Sequence, residues 1–308
     1  MKTNSTADKS VNGFINLDKP PEITSMDVVR QIRQATGLKR IGHGGTLDPM
    51  ATGVIPIAIG AYTRLLEYIL DSDKAYKAEI QLGIKTDTFD ADGTVIETND
   101  PSNVCINDIE QILPEFTGTF DQTPPLYSAK RVNGKRLYEY ARQNIAVEIR
   151  SNPGSVKEIQ IESFDQPALI LSIKCGKGFY VRSLANDLGI RLGCGAYLKS
   201  LRRTVSGAFS ADKSIPLSDA LAIIKSGNLE NTISNLDECL PHIPKIHLTE
   251  RLIKYIQTGR PVTIDETSVQ TSEDRSILRV HDNLGELVAI VRFDQETLEL
   301  KPYKVFLN

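Results

Sequence analysis

Residues 42–53 hold one acidic side chain in a setting suited to chemistry. The stretch reads GHGGTLDPMATG, and its four glycines let the backbone take positive φ angles and approach a ligand closely. Pro49 fixes its own φ angle and favours an extended conformation at Asp48. The stretch therefore predicts a loop that presents the Asp48 carboxylate on a constrained backbone. The alternative is a tight surface turn in which Asp48 binds its own backbone.

Arg182 is a candidate partner for the Asp48 carboxylate. It follows a glycine-containing stretch, and Tyr180 lies two residues before it, so both side chains project to the same side of an extended chain. Asp187 is the acidic residue near Arg182 in sequence. We therefore expect the partner of Arg182 to come from another part of the chain, and Asp48 is the residue that would account for both.

Charge is distributed unevenly, although the 308-residue chain has a net charge of only −3. Residues 174–203 contain seven Lys or Arg and one acid, whereas residues 86–121 contain nine acids and neither Lys nor Arg. This pattern predicts one basic face and one acidic face. The alternative is that the two segments neutralise each other.

Residues 123–150 combine six basic residues with three tyrosines, Tyr127, Tyr138 and Tyr140. Aromatic rings that stack on bases and cations that meet phosphates are typical of proteins that bind single-stranded nucleic acid. The alternative is a solvated helix whose tyrosines pack inward. That alternative suits Tyr138 and Tyr140 better than it suits Tyr127, which follows Pro124 and Pro125.

Several function classes find no support in the sequence. It lacks a run of eighteen apolar residues, and its first eleven residues are too polar for a signal peptide, so neither a membrane span nor export is predicted. The four cysteines and four histidines are scattered, which predicts reduced thiols, a cytoplasmic protein and no metal. Asp87, Asp90 and Asp92 resemble part of a calcium loop, but the closing glutamate is missing, and we interpret them as turn residues.

Apolar periodicity predicts the elements that position these residues. Strands are expected at 13–19, 54–59, 74–83 and 168–176, and helices after the caps Ser25, Asn107 and Ser183, at 63–70 and at 216–226. After Pro241 and Pro244, a helix at 249–257 and strands at 277–281, 287–293 and 303–306 predict a small β-rich unit.

Taken together, five ordered motifs resemble the bacterial tRNA pseudouridine-55 synthases, the TruB family. They are GHGGTLDP at 42–49, KAY at 74–76, QTPPLYSA at 122–129, GFYVRSL at 178–184 and LRRT at 201–204. The resemblance extends over about residues 13–210. The chain departs from the family pattern after its first Asp-Lys-Pro, where Glu22 replaces a glycine and Ser25-Met26 replaces a Ser-His pair. The geometry of that turn is therefore an open question.

The resemblance implies a fold and a domain organisation. The expected class is α+β, a mixed, mostly antiparallel sheet flanked by helices, with a small β-rich PUA-like domain at the C-terminus. Residues 1–12 are expected to be disordered, 13–245 to form the catalytic domain and 246–308 the PUA-like RNA-binding domain. Within the catalytic domain, residues 123–150 are expected to be a mobile insertion that closes on RNA.

The resemblance also implies a reaction. The bond between uracil and ribose is cleaved, the base rotates, and a carbon–carbon bond forms without a cofactor or metal. Asp48 matches the catalytic aspartate, acting as nucleophile or base, and Arg182 matches its partner. Tyr76 matches the residue that stacks on the base. The substrate-binding residues implied are His43, Tyr180, Leu201, Lys19 and Arg202.

The expected substrate is the T arm of tRNA, recognised by its shape and with uridine 55 turned out of the fold. No protein partner is expected to be required, and the chain is expected to act as a monomer. Two other functions are less favoured. One is a tRNA-binding folding chaperone with catalysis secondary or lost. The other is a hydrolase with Asp48 as its nucleophile, for which the sequence offers no convincing second acid or His–Asp arrangement.

Overall fold

The computed structural model of the chain describes residues 11–128, 130–143, 145–264 and 277–306. Residues 1–10, which make up most of the segment predicted to be disordered, lie outside the described residues. Residues 265–276 and 307–308 of the predicted C-terminal domain also lie outside them. The helices are α1 (Ser25–Thr36), α2 (Leu66–Leu70), α3 (Ile106–Ile112), α4 (Leu137–Arg142), α5 (Val181–Arg191), α6 (Leu217–Lys225), α7 (Leu236–Cys239) and α8 (Glu250–Gln257). Short 3₁₀ helices cover Gly60–Leu65, Leu113–Phe116, Ala211–Lys213 and Leu229–Thr232.

Strands form a large sheet and a smaller C-terminal one. The large sheet contains β1 (Gly13–Lys19), β2 (Ile41–His43), β3 (Thr52–Ile59), β4 (Lys74–Leu82), β7 (Gly118–Gln122), β10 (Asn152–Asp165), β11 (Ala168–Cys175), β12 (Ala196–Ser206), β13 (Phe209–Ser210) and β14 (Ile215–Pro216). Its order is β14-β1-β3-β12-β4-β11-β10-β7, with β13 on β12 and β2 on β3. Two pairs, β1 with β14 and β3 with β12, are parallel and the others antiparallel. The predicted mixed, mostly antiparallel sheet is confirmed.

The remaining strands form two hairpins and the C-terminal sheet. The hairpins pair β5 (Ile84–Thr86) with β6 (Val95–Thr98), and β8 (Arg131–Val132) with β9 (Lys135–Arg136). The C-terminal sheet has the order β15-β17-β18-β19-β16, from β15 (Lys245–His247), β16 (Val262–Thr263), β17 (Ile277–His281), β18 (Leu287–Asp294) and β19 (Glu299–Val305). It contains β15, so the predicted boundary after residue 245 falls inside its first strand.

An apolar cluster joins the two sheets. Phe14 of β1 and Leu65 pack in one cluster with Ile290 of β18 and with Phe306. Arg64 adds to this contact, because it donates a 2.6 Å hydrogen bond to the carbonyl oxygen of Val305 and lies over the ring of Phe306. The C-terminal sheet therefore shares buried apolar surface with the large sheet.

All three predicted helix caps are wrong. Helix α3 is capped by Cys105, so Asn107 lies inside the helix, and both serines bind elsewhere. Helix α1 is capped by Thr24, which forms a capping box with Asp27, and helix α5 begins at Val181 rather than Leu184. Ser25 instead contacts the main chain of Leu47, and Ser183 donates to the carbonyl oxygen of Thr123. Tertiary hydrogen bonds have replaced the local bonds that the sequence favours.

Gly53 occupies a position that has no room for a Cβ atom. Its φ angle is +99°, and a Cβ there would lie 2.2 Å from the main-chain oxygen of Arg203, on the adjacent strand. Gly37, which ends α1, has a φ angle of +70° but open space around it. A substitution at Gly37 would therefore introduce backbone strain alone, whereas one at Gly53 would introduce both strain and a steric clash.

We expect Gly37→Ala to cost about 1 kcal/mol of unfolding free energy through strain alone. Gly53→Ala should cost about 1–3 kcal/mol more, because β3 and β12 must move apart. Urea unfolding of both variants measures the difference. Equal losses would contradict the close approach at Gly53.

Candidate active site

Ser25 and the turn before α1 fix the loop on both sides of Asp48. The Ser25 hydroxyl accepts from the Leu47 amide at 2.8 Å and donates to the Leu47 carbonyl oxygen at 3.0 Å. On the other side, the Glu22 amide donates to the Pro49 carbonyl oxygen at 2.9 Å. Because both neighbours of Asp48 are bound, the direction of its side chain is restricted.

Lys19 lies beneath the same loop and is fully buried. Its Nζ donates to the carbonyl oxygens of Pro20 at 3.0 Å, Ile23 at 2.8 Å and Pro49 at 3.1 Å. The turn that departs from the family pattern is thereby closed, with Glu22 in the left-handed region at a φ angle of 67°. A glycine would adopt this conformation without strain.

Arg203 holds the first half of the loop from below. Its guanidinium is buried and donates to the carbonyl oxygens of Val54 at 2.7 Å, Gly45 at 3.1 Å and Thr46 at 3.4 Å. Strand register places Arg203 opposite Tyr76, on the face of the sheet that they share. In the sequence, Arg203 stands out only as part of a basic segment and of the LRRT motif.

Arg182 binds Asp48, as the sequence analysis expected. Arg182 Nε lies 2.9 Å from Asp48 Oδ2, and Arg182 Nη2 donates to Asp48 Oδ1 at 3.1 Å. This two-point contact orients the carboxylate more strictly than one hydrogen bond would. The Arg182 side chain is 6% exposed and the Asp48 side chain 32% exposed, so that Asp48 remains accessible.

Asp90 is a second carboxylate on Arg182, a contact that its sequence pattern does not indicate. Its Oδ2 lies 3.2 Å from Arg182 Nη1, and its side chain is 5% exposed. Burial raises the pKa of Asp90, while the Thr88 hydroxyl and the Arg182 guanidinium oppose that rise. The predicted turn role is also correct, because the Asp92 amide donates to Asp90 Oδ1 at 3.2 Å.

A cavity of about 1070 Å³ opens above Asp48 and is large enough to hold a nucleotide. Six of the predicted site residues line it, namely His43, Asp48, Tyr76, Tyr180, Arg182 and Leu201. They come from the glycine-rich loop, β4, the start of α5 and β12. The structure thus brings together side chains that are far apart in sequence.

Three of these residues have shifted pKa values with physical causes. Burial raises the pKa of Tyr76, and the nearby Arg203 charge opposes the rise. Burial also raises the pKa of Tyr180. Burial, reinforced by the Arg203 charge, lowers the pKa of His43. At neutral pH both tyrosines therefore carry their protons and His43 is uncharged.

Lys19 and Arg202 do not occur among the described residues that line the cavity. Arg202 pairs opposite Lys77 across β4, so it faces away from Tyr76, and its guanidinium binds both carboxylate oxygens of Asp18 at 3.1 and 2.5 Å. The structure therefore gives Lys19 a place under the loop and Arg202 an ion pair on the other face. Substrate binding by either residue stays a prediction.

The segment 123–150 forms one wall of the cavity. Its lining residues are Tyr127, Ser128, Lys130, Arg131, Arg136 and Tyr138. Tyr138 lines the cavity, and the guanidinium groups of Arg136 and Arg142 lie 5.8 and 5.4 Å from its ring centre. Tyr140 instead donates to the carbonyl oxygen of Val132. The predicted arrangement of aromatic and basic side chains therefore fits Tyr138 better than Tyr140.

In the described ranges, we find no group of three or more His, Cys, Asp or Glu that could hold a metal ion. The helices in these ranges are too short or too polar to cross a membrane.

Comparison with known proteins shows the family to which the chain belongs. Residues 33–181 match the profile of the TruB family pseudouridylate synthase (N terminal domain), and residues 182–241 match that of the tRNA pseudouridylate synthase B C-terminal domain. The tRNA pseudouridine synthase B of Dehalococcoides mccartyi strain 195 is 37% identical over 97% of both chains. The chain belongs to the TruB family. The synthase of the same name from Synechocystis sp. is 40% identical over 96% of this chain and 99% of its own.

Solved structures confirm the fold of this TruB-family chain. The crystal structure of a Cbf5-Nop10-Gar1 complex matches with a TM-score of 0.73 and 28% identity, over 96% of this chain and 85% of that chain. The structure of an H/ACA RNP bound to a substrate RNA containing 2'-deoxyuridine matches with a TM-score of 0.72 and 25% identity, over 96% and 85%. The fold is that of the pseudouridine synthases, with a C-terminal β-sheet unit of the PUA-like kind.

The charge on Lys19 predicts how stability depends on pH. Burial lowers the pKa of Lys19 to about 8 from its ordinary 10.5. Between these values the folded protein has released a proton that the unfolded chain still holds, so the free energy of unfolding rises with pH. Lys19→Met removes this contribution. The difference in unfolding free energy, wild type minus variant, should therefore grow from pH 8 towards pH 10.5.

Urea unfolding at several pH values measures this difference. Lys225→Met, at an exposed lysine at the end of α6, controls for the loss of one lysine. The same pH dependence in both variants would contradict the burial of a charged Lys19.

Proposed function

We propose that this TruB-family chain isomerises a uridine of tRNA to pseudouridine, with Asp48 as the essential residue. The observation that carries the proposal is the accessible Asp48 carboxylate, bound at two points by buried Arg182 at the wall of a nucleotide-sized cavity. Its relatives from Dehalococcoides mccartyi and Synechocystis are named as tRNA pseudouridine synthases.

The reaction requires no net change in atoms or electrons. The bond between the ring nitrogen and the sugar carbon breaks, and the same sugar carbon bonds to a ring carbon. That ring carbon loses a proton, and the freed nitrogen gains one. Asp48 suits either of two first steps, attack on the sugar carbon or removal of a proton from the sugar. Arg182 holds the carboxylate in one orientation for both.

The cavity walls supply the other contacts that the reaction needs. Tyr76 and Leu201 present an aromatic ring and an apolar side chain beside Asp48, which suits a uracil base lying between them. Tyr76 is also the residue that would take, late in the reaction, the proton that the ring carbon loses. His43 is uncharged near neutral pH, which suits stacking on a neighbouring nucleotide better than binding a phosphate.

We place the target at uridine 55 in the T arm of tRNA. A base in a folded arm must leave its stack to reach Asp48, which costs a few kcal/mol. The cavity wall formed by 123–150 offers Lys130, Arg131, Arg136 and Tyr138 to offset that cost through phosphate and stacking contacts. The predicted closure of this segment on RNA, a monomeric state and a cytoplasmic location belong to the same proposal.

An unmodified tRNA transcript tests the proposal directly. Purified protein should form pseudouridine at position 55, and a transcript with cytidine there should yield none. Asp48→Asn should abolish the product because it removes the charge while keeping the size, and tRNA affinity should stay within a few-fold. Product by mapping and affinity by filter binding are the two measurements.

Asp165→Asn, at an exposed aspartate at the end of β10, is the matched control and should behave as wild type. Turnover by Asp48→Asn would refute the assignment of Asp48, and pseudouridine at another position would refute the T-arm target. A tRNA-refolding assay with the same variant tests the chaperone alternative. Refolding by wild-type protein without any pseudouridine would favour that alternative.

A further inference from the structure

Gln122, the last residue of β7, binds the main chain just before α5 with its side-chain amide. The Tyr180 amide donates to Gln122 Oε1 at 2.8 Å, and Gln122 Nε2 donates to the Tyr180 carbonyl oxygen at 3.0 Å. One side chain thus satisfies both polar groups of a residue 58 positions away in sequence. Gln122 is 3% exposed, so that water competes little for these bonds.

The main chain that Gln122 binds, at Tyr180, carries two active-site side chains. Tyr180 projects its own ring into the cavity, and Arg182, which binds Asp48, lies two residues further along. Helix α5 has no side-chain hydrogen bond from its own N-cap residue, Tyr180. The Gln122 side chain therefore supplies hydrogen bonds at the start of α5, where the N-cap side chain supplies none.

Two further bonds connect the start of α5 to the chain that follows Gln122. Ser183 Oγ donates to the Thr123 carbonyl oxygen at 2.7 Å, and Arg182 Nη2 donates to the Tyr127 carbonyl oxygen at 3.1 Å. The base of the 123–150 segment is therefore joined to the same few residues that carry Tyr180 and Arg182.

We propose that Gln122 is a positioning residue for the isomerisation, an inference that rests on the proposed function. Its amide fixes the Tyr180 peptide, sets where Tyr180 and Arg182 enter the cavity, and aligns them with the RNA-facing segment. A displacement of catalytic groups by about 1 Å lowers a rate by as much as about 100-fold. Gln122 is not among the described residues that line the cavity, and it acts through the main chain.

Gln122→Glu tests the donor half of this contact at constant size. An ionised carboxylate accepts from the Tyr180 amide but repels the Tyr180 carbonyl oxygen, whereas a protonated carboxyl accepts from one and donates to the other. At pH 8 we expect the single-turnover rate constant to fall about 10-fold to 100-fold. The ratio to wild type should recover below about pH 6, because burial raises the pKa of the introduced group.

Wild type and variant share their other titratable groups, so the effects of these groups on the rate cancel in the ratio. They include Asp48, Tyr76, Tyr180, Arg182 and Asp90. Gln122→Met keeps the length without either hydrogen bond, so its rate should be low at every pH. Affinity for tRNA should stay within about twofold in both variants. Gln111→Glu, the same change at an exposed residue of α3, should match wild type.

A wild-type rate in Gln122→Glu at every pH would overturn the proposal, and so would an equal loss at every pH. If Gln122→Glu does not fold, Gln122→Met decides: a lower rate at unchanged affinity supports the proposal, and a wild-type rate overturns it. The wild-type reaction separates the two claims. Without pseudouridine from wild-type protein the proposed function fails, whereas wild-type turnover with insensitive variants defeats only the role of Gln122.

Discussion

The pairing of one buried guanidinium with two carboxylates is the interaction on which the rest of this site depends. Arg182 binds Asp48 on the cavity side and Asp90 on the other, and it also donates to the Tyr127 carbonyl oxygen. Removing one partner from a buried ion pair leaves an uncompensated charge, which is strongly destabilising. The arrangement therefore keeps Asp48 oriented and open to substrate at the same time.

Buried cations bound by carbonyl oxygens support that pair. Lys19 and Arg203 each donate to three main-chain carbonyl oxygens in and around the catalytic loop, and Lys74 donates to those of Ile69, Leu70 and Ser72. Carbonyl oxygens satisfy hydrogen bonds without carrying a formal charge, so these contacts leave the positive charge uncancelled. A positive potential under the cavity suits a polyanionic substrate. Lys19 and Arg203 also hold the loop in place, which joins substrate attraction to the positioning of Asp48.

The sequence predicted the parts of the site that depend on residue type, and it missed those that depend on long-range placement. The Asp48–Arg182 pair was indicated by an isolated carboxylate in a glycine-rich loop and by an arginine whose near acid in sequence is Asp187 alone. Asp90 was interpreted only as a turn residue, because its contact with Arg182 depends on where the β5–β6 hairpin lies. The inward direction of Arg203 depends likewise on the register between β12 and β4. Strand β10 was not predicted, because its many charged and half-exposed residues leave no clear alternation of apolar and polar positions in the sequence.

The central claim is that the two-point contact from Arg182 holds Asp48 in its reactive orientation. The most direct measurement is the single-turnover rate constant of Arg182→Lys with a tRNA transcript, together with its affinity for that transcript. A lysine keeps the charge but offers a point donor instead of a planar fork. The account predicts a rate constant lower by about 100-fold or more, with affinity changed only a few-fold. A wild-type rate constant in Arg182→Lys would contradict it.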